Sequence, residues 1–226
     1  MDDCISVSNL TKTVKAPEGS LTILQNINLN VKQGEALVIT GESGSGKTTL
    51  LGLMAGLDSA DHGEVVLLGQ SLSGKNEEQR AAIRNGQVGF IFQSFHLVTG
   101  ATALQNVMLP MELAGRKQAL QQAEKVLRQV GLGNRMNTPV ERLSGGEQQR
   151  VAIARAYVVE PTVLFADEPT GNLDTQTGQQ IIDLLFALRD QAGTSLVLVT
   201  HEQRLAERGD REIQMARGQI LDSLQS

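Results

Sequence analysis

Gly41-Glu42-Ser43-Gly44-Ser45-Gly46-Lys47-Thr48 fits the pattern G-x-x-x-x-G-K-[ST] without a mismatch. The residue types suit the chemistry of holding phosphate. Glycines let the backbone curl so that successive N–H groups point inward at phosphate oxygens, at the positive end of the helix that follows. The candidate contacts are Gly41, Ser43, Gly44, Ser45, Gly46, Lys47, Thr48 and Thr49. Lys47 is placed to reach β and γ phosphates, and the Thr48 hydroxyl to take a place on Mg²⁺. A chance glycine- and serine-rich turn would lack the flanking context. Here Ala36 to Thr40 reads as a strand and Lys47 to Gly56 as a helix.

A carboxylate pair completes a mononucleotide site. Val163 to Ala166 is an apolar strand running into Asp167-Glu168. At a strand's carboxyl end such acids face the crevice where ligands bind in open α/β sheets. Asp167 is expected to hold the Mg²⁺ shell, and Glu168 to orient or deprotonate an attacking water. Alone, such a strand end is more often a solvated turn; after a phosphate loop the balance reverses.

The elements that must position these groups follow from hydrophobic period. Ile5 to Val7 and Ile23 to Leu29 read as β runs bounded by Pro17, Glu18 and Gly19 and by Gln33 and Gly34, with a further strand at Glu64 to Leu68. From Thr102 to Gly131 the period is helical: Leu120, Ala123, Leu127 and Val130 form a predicted buried stripe. Thr102 is placed to cap the first of these helices and Gly115 to end it. Val163 to Ala166, a helix at Thr175 to Gln191, a strand at Leu196 to Thr200 and a short helix then alternate. That alternation implies right-handed crossovers and a parallel sheet. The expected architecture is an α/β P-loop NTPase core with an N-terminal antiparallel β part and a helical insertion. Residues 1–93 and 159–226 form the core, and 94–158 the insertion.

Composition narrows the function. Of 226 residues, 40% are hydrophobic and 20% charged, which is ordinary for a globular chain. A net charge of −5 gives no global basic field for nucleic acid. Cys4 is the sole cysteine, so no internal disulfide forms and a reducing compartment fits. The acidic start, Met1-Asp2-Asp3, precedes no apolar stretch of the kind a secretory signal needs. No apolar run approaches the ~18 to 20 residues that cross a bilayer. If the protein serves a membrane, another chain must span it.

Leu143-Ser144-Gly145-Gly146-Glu147-Gln148-Gln149-Arg150, between the loop and the acidic strand, resembles the signature of ABC ATPases. Ser144 is placed to cap the helix beginning there, and the glycines leave N–H groups bare for a phosphate. The remaining motifs follow in the family's order. Gln93 resembles the Q-loop glutamine that senses Mg²⁺ and the partner subunit. Asn172-Leu173-Asp174 resembles the D-loop, with Asp174 communicating across a dimer. His201 resembles the switch histidine that contacts the γ-phosphate, whereas His62 and His96 have no such support and read as structural. The resemblance implies a homodimer with ATP and Mg²⁺ between the Lys47 loop of one copy and Ser144, Gly145, Gly146 and Glu147 of the other. Glu168, His201 and Gln93 are then the catalytic set, and Thr48, Gln93 and Asp167 the metal set.

Glu147, where the common pattern has Gln, resembles the branch of lipoprotein-releasing, macrolide-exporting and cell-division ATPases, as do Phe92-Gln93-Ser94-Phe95-His96-Leu97 and Ala103 to Pro110. That branch implies a permease in a separate chain, contact with the membrane only through it, and a place on the cytoplasmic face of the inner membrane. Export or extraction of a lipophilic or lipoprotein-like cargo is the implied function; mechanotransmission without a transported substrate is the alternative. Phe95 and Leu97 are either an apolar floor for a coupling helix or plain core residues. The family places an adenine-stacking Tyr about where Val14 stands, and the first aromatic residue here is Phe90. Val14, with the long Lys15 to Leu21 connection, resembles the YbbA type.

Overall fold

A computed structural model describes residues 2–16 and 19–221. They fall into two compact units: the described residues up to Arg84 together with 195–221, and Asn85–Thr194. Pro17 and Glu18, which the sequence suggests as turn residues, lie outside the described residues.

The first unit opens with two long strands, β1 (Asp3–Ala16) and β2 (Gly19–Lys32), paired antiparallel from Asp3↔Lys32 to Ala16↔Gly19. The expected connection from Lys15 to Leu21 is therefore mostly strand, with Lys15 opposite Ser20 and Val14 opposite Leu21. The reason is pairing: backbone groups that a short β run would leave open are satisfied by extending the ladder. On its other side β1 pairs antiparallel with β4 (His62–Leu67), which pairs with the two-residue β5 (Gln70–Ser71), giving the order β2-β1-β4-β5. The register slips between Ser8 and Thr11, where Asn9 takes a positive φ of 51°. Gly63 lies against this irregularity, and a Cβ there would fall 2.4 Å from the Asn9 carbonyl oxygen.

The same unit holds the parallel strand β3 (Ala36–Gly41), its apolar residues buried, as a parallel strand requires. Helix α1 (Lys47–Met54) follows it. Further along the chain, α2 spans Glu77–Arg84; Asn76 and Gln79 cap it reciprocally, each accepting the other's backbone N–H at 2.9 Å. The chain returns to this unit with β8 (Ser195–Val199), a short helix (Gln203–Ala206), β9 (Arg211–Ala216) and β10 (Gln219–Leu221). Strand β3 runs parallel to both β8 and β9, and β10 turns back antiparallel on β9.

The second unit is built on two parallel strands, β6 (Val88–Phe92) and β7 (Val163–Asp167). Between them come α3 (Ala103–Leu113), α4 (Ala119–Gln129) and α5 (Gly145–Tyr157), and α6 (Thr175–Ala192) follows β7. Thr102 caps α3 in a capping box with Gln105, and Gly115 follows its end at φ 62°, both as predicted. The predicted stripe on α4 is narrower than expected. Ala123, Leu127 and Val130 are buried, but Leu120 is 51% exposed in the helix's first turn.

Both Gly63 and Gly74 have positive φ, but Gly74 has no atom within 4 Å of an added Cβ. Gly63→Ala is therefore expected to lose about 2 kcal/mol of stability and Gly74→Ala about 1 kcal/mol or less. Denaturant midpoints of the two variants check the difference.

Candidate functional site

In the first unit β3 delivers the phosphate loop. Gly41 (φ 141°), Gly44 (φ 79°) and Gly46 (φ 101°) all sit where L side chains are strained. Two of them are also crowded. A Cβ on Gly41 would lie 2.2 Å from the Met215 carbonyl oxygen, and one on Gly46 2.8 Å from Leu24 Cδ2. Glycine here is required by close approach as well as by conformation. Gly46 is the N-cap of α1 and offers no side-chain cap, so the first N–H groups of that helix keep their positive end toward the loop.

Lys47 is only 6% exposed, and its ammonium donates to the carbonyl oxygens of Gly41 at 2.7 Å and Glu42 at 2.8 Å. The side chain thus lies back along the inner side of its own loop. Ser45 has a buried hydroxyl oxygen with no hydrogen-bond partner. A buried polar atom without a partner costs free energy, and this one belongs to the same loop whose carbonyls hold the Lys47 ammonium. These observations fit a phosphate-bearing ligand. Thr48 is exposed at the start of α1. His201 follows β8, and the parallel register Ile39↔Val199 brings it to the same carboxyl end as Gly41; it is exposed.

The second unit gathers the other candidates. The register Phe92↔Asp167 places Gln93 and Glu168 one residue beyond the same ends of β6 and β7. Glu168 takes φ 43°, an unusual conformation for a glutamate. Such residues cost about 1–3 kcal/mol and persist where the surroundings over-determine them. Gln93 is tied to Asn172 twice: its amide donates to Asn172 Oδ1 at 3.3 Å, and Asn172 Nδ2 donates to the Gln93 carbonyl at 2.9 Å. Gly171 allows this, since a Cβ there would lie 2.7 Å from Gln93 Nε2. Asn172 was legible only as part of a motif; its grip on Gln93 had no separate signal.

Ser144 caps α5. Its Oγ accepts the Glu147 N–H at 3.3 Å and Glu147 Oε2 accepts the Ser144 N–H at 2.9 Å, a complete capping box. Gly145 and Gly146 occupy the first helical positions, whose N–H groups have no intrahelical acceptor. Both glycines are close to their neighbours. A Cβ on Gly146 would meet Thr177 Cγ2 at 2.5 Å, and one on Gly145 would touch Leu173 at 3.4 Å and the Phe95 ring at 4.0 Å. Glu147 also pairs with Arg135 at 3.2 Å. The Ser144 N–H is the main influence holding the Glu147 carboxyl below the usual range. Asp174 caps α6, its Oδ1 accepting from Gln176 and Thr177. Thr177 holds the Asp174 carboxyl below the usual range.

The structure therefore brings Gly41 to Thr49 and His201 together in one unit. Gln93, Asp167, Glu168, Ser144 to Glu147 and Asp174 come together in the other. Phe95 and Leu97 are half-buried, neither open surface nor closed core. Among the described residues no group of three His, Cys, Asp or Glu could hold a metal ion. The Thr48 hydroxyl in one unit and the Asp167 carboxylate in the other are each hard oxygen donors of the kind Mg²⁺ takes.

The ABC transporter family pattern matches residues 24–171. The chain is 50% identical over 221 residues to the ABC transporter ATP-binding protein YbbA of Escherichia coli, covering 97% of each. It is 42% identical over 222 residues to the lipoprotein-releasing system ATP-binding protein LolD of Francisella tularensis, covering 97% of this chain and 96% of that one. Among solved structures it resembles the dimeric, post-hydrolysis state of the ATP-binding cassette MJ0796 bound to ADP and Pi. The TM-score is 0.90 at 37% identity, covering 97% of both chains.

Ser144→Ala removes a cap and is expected to cost about 1 kcal/mol, read as a lower unfolding midpoint at neutral pH. Because the folded pKa of Glu147 is depressed, its own contribution is present above the ordinary carboxylate range. It is lost as pH falls through the folded value.

Proposed function

Because the chain belongs to the ABC transporter family, as an ATP-binding and ATP-hydrolysing subunit of the branch containing LolD and YbbA, we propose that it works as a homodimer. Two ATP molecules lie at the interface, and a permease in a separate chain is driven by their hydrolysis. The observation that carries this reading is the glycine-rich loop: Lys47 is folded back on the loop's own carbonyls, and the same loop holds an orphaned Ser45 hydroxyl. An arriving triphosphate offers oxygens to both, and to the N–H groups of Ser43, Gly44, Gly46, Thr48 and Thr49.

Thr48, Gln93 and Asp167 are the residues that would hold Mg²⁺; when bound, the ion would neutralise charge on the β and γ phosphates. Glu168 orients the attacking water and takes its proton as the water oxygen bonds to the γ-phosphorus and the bond to the leaving ADP oxygen breaks. His201 steadies the γ-phosphate. In the head-to-tail dimer the N–H groups of Gly145 and Gly146 and the Ser144 hydroxyl face the ATP of the partner. Accepting from Glu147 leaves the Ser144 O–H able to donate. Asp174, set by its cap on α6, faces the other copy. Residues 94–158 form the helical subdomain that carries the signature.

The permease meets the chain near Gln93 to Leu97, where half-buried Phe95 and Leu97 supply apolar surface. Among the described residues no helix is long and apolar enough to cross a membrane; the likeness to ATP-binding subunits of transporters supports a separate spanning chain and a place on the cytoplasmic face of the inner membrane. The likeness to a lipoprotein-releasing subunit supports a lipophilic or lipoprotein-like cargo.

Two experiments test the reading. Glu168→Gln with ATP and Mg²⁺ should elute from a sizing column at twice the monomer mass and return to monomer with ADP; a monomer throughout would overturn the two-ATP sandwich. On the base side, Val14 is 39% exposed and its cross-strand neighbour Leu21 is 55% exposed, an aliphatic pair where the family stacks an aromatic ring. Without stacking of about 1 kcal/mol or more, ATP and GTP should be hydrolysed with kcat/KM values within about tenfold of each other. A larger preference for ATP would refute weak base selection.

A further inference from the structure

After β6 the chain makes an unusual turn. Phe95 (φ 57°) and His96 (φ 50°) are consecutive non-glycine residues in the left-handed region. L residues visit that region singly and at a cost, so two in succession need an external hold. One guanidinium supplies it. Arg155 Nη2 donates to the Phe95 carbonyl at 2.8 Å, and Nη1 donates to the His96 carbonyl at 2.6 Å. The fork is planar and its two donors match two adjacent carbonyls, which a lysine ammonium cannot imitate.

Arg155 lies in the last turn of α5, between the buried Ala154 and Ala156, so its backbone is anchored with the helix. The first turn of the same helix meets the loop again, at Gly145 against the Phe95 ring. The loop's other end is held by the reciprocal Gln93–Asn172 pair. The segment from Gln93 to His96 is thus gripped at its start from the stretch before α6 and at its end from α5.

We propose that Arg155 is the positioning residue of the Gln93 loop, holding two strained carbonyls so that any displacement of α5 is carried to Gln93. The functional half of this rests on the assignment of Gln93 and the signature given above. A strained segment with one removable hold has two arrangements: engaged and left-handed, or released and relaxed. Arg155 selects between them. A purely structural arginine would stabilise α5 alone, with no dependence on the backbone preference of His96.

That difference gives the test. Arg155→Ala, Arg155→Lys, His96→Gly and the Arg155→Ala/His96→Gly double variant are compared in the full chain, by steady-state ATP hydrolysis and amide hydrogen exchange. Losing a hydrogen bond to a charged group is worth about tenfold or more. Exchange at residues 94–98 in Arg155→Ala should rise by that factor while residues 43–48 stay as in the wild type. The kcat for ATP should fall with little change in KM, as for loss of an interaction made in the transition state. Arg155→Lys should recover only part of the loss. Glycine at 96 accepts a positive φ without strain, so the double variant should regain most of the kcat that Arg155→Ala loses.

An equal rise in exchange at 43–48, in the alanine or the lysine variant, would make Arg155 a general structural residue and overturn the proposal. So would a double variant no better than Arg155→Ala. Gln93→Ala separates the two layers. If it keeps the wild-type kcat, the role given to Gln93 falls and the functional half of the inference with it. If it lowers kcat while Arg155→Ala changes neither exchange nor kcat, the inference about Arg155 alone is overturned.

Discussion

The Met215 carbonyl oxygen stands 2.2 Å from where a Cβ on Gly41 would be, and the phosphate loop depends on that approach. Strand β9, which carries Met215, can lie beside β3 in the register Gly41↔Met215 only because residue 41 has no side chain. The loop then leaves the strand at a φ open to glycine, curls through Gly44 and Gly46, and turns its carbonyls toward Lys47. The loop is pinned from β10's side as well, since the Gly218 N–H donates to the Ser45 carbonyl. A cradle for phosphate must be rigid before the ligand arrives, or binding has to supply the ordering entropy. Here backbone packing against β9 and its turn does that ordering.

The second unit follows the same logic with a different purpose. Three loops come within van der Waals reach because glycines stand where they meet: Gly171 against Gln93, Gly145 against Leu173 and Phe95, and Gly146 against Thr177. Larger residues would push apart the strand-end carboxylates, the helix N-terminus and the residues that cap α6. The capping boxes and N-caps act on top of this. Ser144 and Asp174 each fix where a helix begins, and so where its first N–H groups point. Non-glycine residues with positive φ occur in both units; in the second, Glu168, Phe95 and His96 lie just beyond the ends of β7 and β6.

Glu147 shows how one substitution can serve both roles. A glutamine at that position could also complete the capping box, since an amide oxygen accepts the Ser144 N–H as a carboxylate does. The carboxylate adds an ion pair with Arg135, from a segment between α4 and α5. Both side chains keep contact with solvent, so the pair is worth little as stability. Its effect is to place opposite charges beside the N-terminus of α5, whose first N–H groups have no intrahelical acceptor.

Motif and period alone marked the glycine-rich loop after β3 and the acidic end of β7; the signature and the order of the motifs were read from resemblance to the family. Those features depend on local residue type: glycine for curl, hydroxyl for caps, carboxylates after apolar strands. The caps at Thr102 and Ser144 were legible for the same reason. The α/β class was legible because strand and helix periods alternate cleanly. Tertiary structure decided what local pattern cannot carry. The strand pairing of Lys15 with Ser20 depends on a partner strand, and Leu120 is exposed because the face it occupies in the first turn of α4 meets no neighbour. Strands β9 and β10 and helix α2 carry too few buried apolar positions for period to announce them: only Ile83 is buried in α2, and only Ile213 and Met215 in β9. The hold of Arg155 on Phe95 and His96, and of Asn172 on Gln93, joins residues far apart in the chain through geometry that no spacing encodes. Chemistry was written in residue types at fixed intervals; coupling between the chemical groups came only from folding.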